Sequence, residues 1–96
     1  MAALQHAIHP GVMVEEWRTG LGLTVGEMAE HLRVTRQTLS RIIHARQSVT
    51  ADMALRLSEA LNMSPQVWLN LQQRYDLAQA SSKRRKPIPR LQAAAA

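Results

Sequence analysis

The sequence predicts an all-α protein, a bundle of five helices. Apolar residues recur at spacings of three and four, and no stretch of four or more alternates apolar and polar as a half-buried strand does. Helix start and stop residues punctuate that periodicity along the chain. The 96 residues fit one domain, small enough that support from a second copy is expected.

The first helix follows His9-Pro10-Gly11, with Pro10 suited to a first turn because its missing N–H is not needed there. Met13, Trp17 and Leu21, four apart, are its expected inner face. Gly20 and Gly22 are expected to end it, since glycine accepts the left-handed conformation of a helix C-terminus. Thr24 opens the second helix and forms a capping box with Glu27, with Met28, Ala29 and Leu32 facing inward. Thr35 caps a third helix whose inner face is Leu39, Ile42 and Ile43. Thr50 caps a fourth, with Ala54, Leu57, Ala60 and Leu61 inward and Asn62 taking the left-handed exit.

Ser64-Pro65 opens a fifth helix reaching about Ala80. Near its start Val67, Trp68, Leu69 and Leu71 make it apolar on more than one face, whereas a surface helix of a monomer shows one stripe. Val67, Trp68, Leu69, Leu71, Gln72 and Tyr75 are therefore the candidate contacts of a homodimer. A helix wrapped more fully by its own domain gives the same pattern. The chain divides into an arm over 1–9, a helical domain over 10–80 and a basic tail over 81–96. The tail's Ser, Lys, Arg, Pro and Ala content lacks a packing face, so disorder is expected there.

Composition excludes several functions. There is no cysteine, which removes disulfides, thiolate metal sites and a cysteine nucleophile and fits a reducing, cytoplasmic setting. No apolar run approaches the ~20 residues of a membrane span. The four glycines form no phosphate-binding loop, and no Ser/His/acid set sits on a nucleophile-like turn. His6 and His9 lack a third ligand nearby, so no metal, cofactor or small-molecule substrate is expected, nor is catalysis.

Charge is unevenly distributed. The net charge is +5. Lys83, Arg84, Arg85, Lys86 and Arg90 account for all of it, leaving residues 1–82 neutral. Within that neutral part, residues 31–51 hold Arg33, Arg36, Arg41 and Arg46 with no acid, while Glu15, Glu16, Glu27 and Glu30 gather before them. A cationic middle suits a polyanion such as nucleic-acid phosphate; a solvated basic face is the plainer reading.

Val25 to His44 fits a helix-turn-helix. Two crossed helices need a small residue at the crossing, met by Ala29, and apolar contacts, met by Met28, Leu32, Val34, Leu39 and Ile42. With Leu39, Ile42 and Ile43 turned inward, Arg36, Gln37, Ser40, Arg41 and His44 point outward, with Thr35 and Thr38 beside them. Arg can grip guanine O6 and N7, and Gln can grip adenine N6 and N7. The N-terminal end of such a helix approaches the bases, so Arg36 and Gln37 come first. Arg46, Gln47 and Ser48, and the second helix's N-terminus at Thr24, are expected on the backbone. The alternative is a merely solvated polar face.

The chain resembles the HigA-type antitoxin branch of the phage-repressor-like (Cro/CI, or XRE) helix-turn-helix proteins. The resemblance rests on His9-Pro10-Gly11, Leu21-Gly22-Leu23-Thr24 leading into Met28-Ala29, Val34-Thr35-Arg36, Leu39-Ser40-Arg41-Ile42, the run Thr50 to Leu57, Ser64-Pro65, Trp68-Leu69-Asn70-Leu71-Gln72 and Tyr75-Asp76-Leu77-Ala78. It covers roughly residues 9–80. It implies a lambda-repressor-like DNA-binding domain in a dimeric autorepressor on palindromic operator DNA. It also implies an antitoxin that neutralises a HigB/RelE-like, ribosome-dependent mRNA endonuclease. A stand-alone repressor of the same fold is the alternative, and a protein-interaction module without DNA binding is the rival from another class. Arg33 and Ala45 stand where the family usually carries glycine. Both positions tend to need positive φ, which costs a non-glycine residue about 1 kcal/mol.

Overall fold

The computed structural model describes residues 7–83 and 85–93. Most of the expected arm, including His6, together with Arg84 and Ala94 to Ala96, lies outside the described residues. Five helices follow one another: α1 (Gly11–Leu21), α2 (Val25–Leu32), α3 (Arg36–Ile43), α4 (Ala51–Leu61) and α5 (Pro65–Ser82). There is no strand among the described residues.

The helix boundaries follow local chemistry. Thr24 accepts from the Glu27 amide at 3.0 Å, while the Glu27 carboxylate accepts from the Thr24 amide at 2.8 Å, so the capping box is complete. Thr35, Thr50 and Ser64 cap α3, α4 and α5 through their hydroxyls, accepting from the amides of Thr38, Met53 and Gln66. Three helices end in paired carbonyl-closing bonds. Gly22 and Leu23 close α1 on Thr19 and Arg18, Arg33 and Val34 close α2 on Glu30 and Ala29, and Ala45 and Arg46 close α3 on Ile42 and Arg41. Such endings place one residue in the left-handed region: Gly22 has φ 70°, Arg33 60° and Ala45 58°, and Asn62 after α4 has 54°. Arg33 and Ala45 thus adopt the conformation that glycine favours. Gly20 lies inside the last turn of α1 and is not part of its stop.

The core consists of Val14, Met28, Ala29, Leu32, Leu39, Ile42, Val49, Met53, Ala54, Leu57 and Trp68. α3 packs between α1 and α2, α2 also meets α4, and α4 carries α5. Three inward assignments are corrected. Val14, not Trp17 or Leu21, is the α1 side chain sealed in the core, and Trp17 and Leu21 are exposed. In α4, Met53 is buried and Ala60 lies outside. Both corrections rotate the buried stripe by about one residue.

The third correction concerns α5. Trp68 is 0% exposed and Gln72 is buried, so the chain's own core occupies both, and neither has surface to offer a second copy. The apolar excess at the start of α5 arises partly because the domain wraps it. Leu69 packs in part against the same core. Val67, Leu71 and Tyr75, four apart, keep exposed surface on a neighbouring stripe. After Ser82 the described tail carries no helix or strand.

Candidate nucleic-acid interface

α3 buries Leu39 and Ile42 and half-buries Ile43. That rotation leaves Arg36, Gln37, Arg41 and His44 exposed and Ser40 and Thr38 half-exposed along one outward row. Thr35 and Thr24 are exposed too, but their hydroxyls are engaged as caps. The Thr35 hydroxyl also donates to that of Thr38 at 2.9 Å. His44 Nδ1 donates to the Ser40 carbonyl at 2.8 Å, which turns Nε2 outward as the free ring nitrogen. Arg46 and Ser48 are exposed and Gln47 is half-buried in the loop joining α3 to α4. The structure therefore brings the row on α3, the following loop and the N-terminus of α2 to the surface of one compact motif.

The cations divide by what they already hold. Arg18 donates to both carboxylate oxygens of Glu15 and, at 2.6 Å, to the Leu23 carbonyl, closing the α1–α2 turn. This bond to Arg18 holds the Glu15 carboxyl below its ordinary range. Arg56 donates to Asp52 and to the carbonyls of Leu32 and Arg33 at the end of α2. Those two arginines are architectural. Arg36, Arg41 and Arg46 form no ion pair among the described residues and sit where no acid lies between 31 and 51. Unpaired guanidinium groups on a helix and the loop that follows it are suited to phosphate oxygens and to the paired acceptors of a guanine edge.

Two buried polar side chains that sequence reasoning did not assign to this region fix the loop. The Val49 amide donates to Gln72 Oε1 at 2.8 Å, and Gln72 Nε2 donates to Asp76 at 2.9 Å, orienting the amide group. His9 accepts from the Gly11 amide at Nδ1, 2.9 Å away, and its ring lies beside the Gln47 backbone. The His9 ring meets Tyr75 edge to face, with centroids 4.8 Å apart. Burial pushes the His9 pKa down, against smaller opposite effects from Gln47 and Asp76. The loop bearing Arg46, Gln47 and Ser48 thus lies against His9, at the entry to α1, and is hydrogen-bonded to α5. Sequence spacing could not reveal this, because the partners lie more than twenty positions away.

Gly26 was also not singled out. A Cβ there would sit 3.9 Å from Arg36 Cδ, so the Arg36 stem runs beside the first turn of α2. A glycine two residues after a capping threonine was the available signal. No group of three or more His, Asp or Glu that could hold a metal exists among the described residues. Among them too, no helix is long and apolar enough to cross a membrane.

Residues 14–68 match the profile of the helix-turn-helix family. Virulence-associated protein A' of Dichelobacter nodosus is 42% identical over 76 residues, covering 78% of this chain and 66% of that protein. Among solved structures, an addiction module antidote protein of a HigA family from Coxiella burnetii superposes with a TM-score of 0.74 at 35% identity, covering 79% of this chain and 84% of that one. The Pseudomonas aeruginosa antitoxin HigA, solved with the higBA promoter, gives a TM-score of 0.76 at 33% identity, covering 80% and 85%.

Proposed function

The chain belongs to the XRE-type helix-turn-helix family, whose structural neighbours here are HigA-family antitoxins, and from that premise we propose that it is the antitoxin of a type II toxin–antitoxin module. In this reading it binds operator DNA as a homodimer, represses its own operon, and neutralises a HigB/RelE-like endonuclease. The observation that carries the DNA half is the row Arg36, Gln37, Ser40, Arg41 and His44: outward, cap-fixed and drawn from a stretch, 31–51, that contains no acid. Arg36 and Gln37 read base edges, Arg41 and His44 continue the row, and Arg46, Gln47 and Ser48 hold phosphates with the N-terminus of α2. The homologous antitoxin solved with its promoter supports this assignment.

Two copies pair through α5, using Val67, Leu71 and Tyr75. A two-fold dimer needs half-sites about one helical turn apart or a multiple of it. The toxin half rests on the family and on charge. Glu16, Glu27 and Glu30 are exposed on α1 and α2, away from the unpaired arginines in sequence, and suit a basic partner.

A footprint on the gene's own promoter, with and without the product of the neighbouring frame, tests the whole reading. A palindromic footprint with toxin-dependent changes is expected. Equal binding to promoter and scrambled duplex removes the repressor; a neighbour whose toxicity the chain leaves intact removes the antitoxin and leaves a stand-alone repressor. Glu16→Lys with Glu30→Lys should abolish protection from the toxin while sparing the footprint. Unchanged protection would exclude that acidic surface.

A further inference from the structure

The charge of this chain is partitioned in a way the base-reading helix does not explain. Residues 1–82 are neutral, and Lys83, Arg84, Arg85, Lys86 and Arg90 carry the whole net charge within eight positions that contain no acid. α5 ends at Ser82, and Lys83 turns the backbone to an extended conformation, φ −77° and ψ 130°. Residues 85–93 follow without helix or strand and fully at the surface. Ile88 is 78% exposed and Leu91 97%, so the described tail packs on nothing in its own chain. Lys83, Arg85, Lys86 and Arg90 form no ion pair among the described residues.

We propose that the basic tail from Lys83 onward forms a second DNA-binding element, an arm whose run over 85–90 is extended and lies along the sugar-phosphate backbone beside the segment contacted by α3. The proposal rests on the DNA-binding reading above and adds to it a site outside the helix-turn-helix. Three physical features support it. First, the body has no net charge, so beyond the local field of its cationic stretch the tail supplies the net attraction for DNA. Second, Pro87 and Pro89 bar a helix and hold the backbone extended. At ~3.1 Å per residue the five steps from Arg85 to Arg90 span about 16 Å, or about four to five base-pair steps of ~3.4 Å. Third, a chain already extended loses less entropy on binding than a flexible one. The same prolines bar an amphipathic helix, so an anionic membrane could hold this tail by charge alone. Arms of this kind contact phosphates without reading sequence, so the arm sets affinity and salt dependence, while α3 sets specificity.

The test uses the full chain and a variant in which Lys83, Arg84, Arg85, Lys86 and Arg90 are replaced by Gln. Affinity is measured against salt on two promoter duplexes: one trimmed to the footprint, the other longer by about one helical turn at each end. Each phosphate contact contributes about 0.9 to the slope of log K against log salt. Neutralising the arm is expected to lower that slope by about 2 or more per chain on the long duplex, and by less on the trimmed one. Promoter and scrambled DNA should lose affinity by the same factor, about tenfold or more. A second variant with Arg84, Arg85 and Arg90 changed to Lys should keep the full slope, because charge and not guanidinium geometry is what phosphates need.

An unchanged slope on the long duplex overturns the arm while leaving the repressor reading intact. So does a loss confined to the promoter sequence. Tail-dependent sedimentation with phosphatidylserine–phosphatidylcholine vesicles, together with an unchanged DNA slope, reassigns the tail to a membrane and also overturns it. If the wild-type chain shows no preference for its promoter, the repressor reading fails, and the slope on scrambled duplex still decides the arm.

Discussion

The α-carbon of Gly11 lies so close to the main chain of Ile42 that a Cβ on residue 11 would stand 1.9 Å from the Ile42 carbonyl oxygen and 2.8 Å from its carbon. The start of α1 therefore meets the end of α3 backbone to backbone, and no rotamer change can relieve a side chain placed between them. Gly11→Ala must displace one helix, with a loss of about 2 kcal/mol or more in unfolding free energy, in the upper range of overpacking penalties. Because α3 carries the exposed row, the same variant should also bind promoter DNA less well. A urea midpoint equal to the wild type would contradict the close approach.

Gln72 and Val49 make the second tie on the loop after α3. Gln72→Met keeps the length of the side chain but removes the acceptor, leaving the buried Val49 amide unpaired; the expected loss is about 1–3 kcal/mol. Hydrogen exchange at the Val49 amide should accelerate more than at neighbouring core amides. If Gln72→Met exchanges at the wild-type rate there, the hydrogen bond is not what protects the loop.

His9 gives the fold a defined pH dependence. Its folded pKa lies below the ordinary value of 6.5, chiefly because burial disfavours the imidazolium. As pH falls below about 6.5 the unfolded chain binds a proton that the folded chain does not, so stability declines with acidification until the folded pKa is passed. Protonation at Nδ1 would also remove the acceptor for the Gly11 amide. Chemical denaturation from pH 7.5 down to 5 should therefore show a slope that His9→Asn flattens. Identical slopes in the two proteins would assign the acid sensitivity elsewhere.

Much of this architecture was legible in the sequence because it is local. Thr24 with Glu27, Thr35, Thr50, Ser64-Pro65 and Asn62 each fix a helix end with atoms only a few residues away. The outward row on α3 followed from the burial of Leu39 and Ile42 alone. What escaped the sequence depends on distant partners. Trp17 and Leu21 form a stripe at the right spacing, but the smaller Val14, one residue round the helix, is the side chain that enters the core. Trp68 looked like surplus apolar surface because spacing cannot tell a helix buried by its own domain from one buried by a second copy. His9 and Gln72 looked like surface or site residues, and they are internal struts, His9 at the start of α1 and Gln72 under the loop.

Arg33 and Ala45 offer a stabilisation test. Both hold positive φ at helix ends where a Cβ is disfavoured. Arg33→Gly and Ala45→Gly should each raise stability by up to about 1 kcal/mol, offset in part by the greater freedom glycine gives the unfolded chain. The effects should add, since the two turns share no hydrogen bond. A lower melting temperature in either variant would mean that the lost side chain contributes more than the relieved strain.

Arg36 and Gln37 decide whether the exposed row reads sequence or only touches charge. Both lie in the first turn of α3, held by the Thr35 cap, and the Arg36 stem passes close to Gly26. Arg36→Ala or Gln37→Ala should reduce promoter affinity by about 1–3 kcal/mol and relax discrimination at one base position per half-site. Neither change should shift the unfolding midpoint by more than about 0.5 kcal/mol, because both side chains are exposed and bear no internal hydrogen bond. Arg46→Ala provides the contrast: if it touches phosphate, binding weakens alike on every duplex and the salt slope falls by about 1. A selection of bound sequences from a randomised operator, run with each variant, separates these outcomes. Should Arg36→Ala and Gln37→Ala recover the same consensus as the wild type, base reading would have to move further along α3 to Ser40, Arg41 and His44.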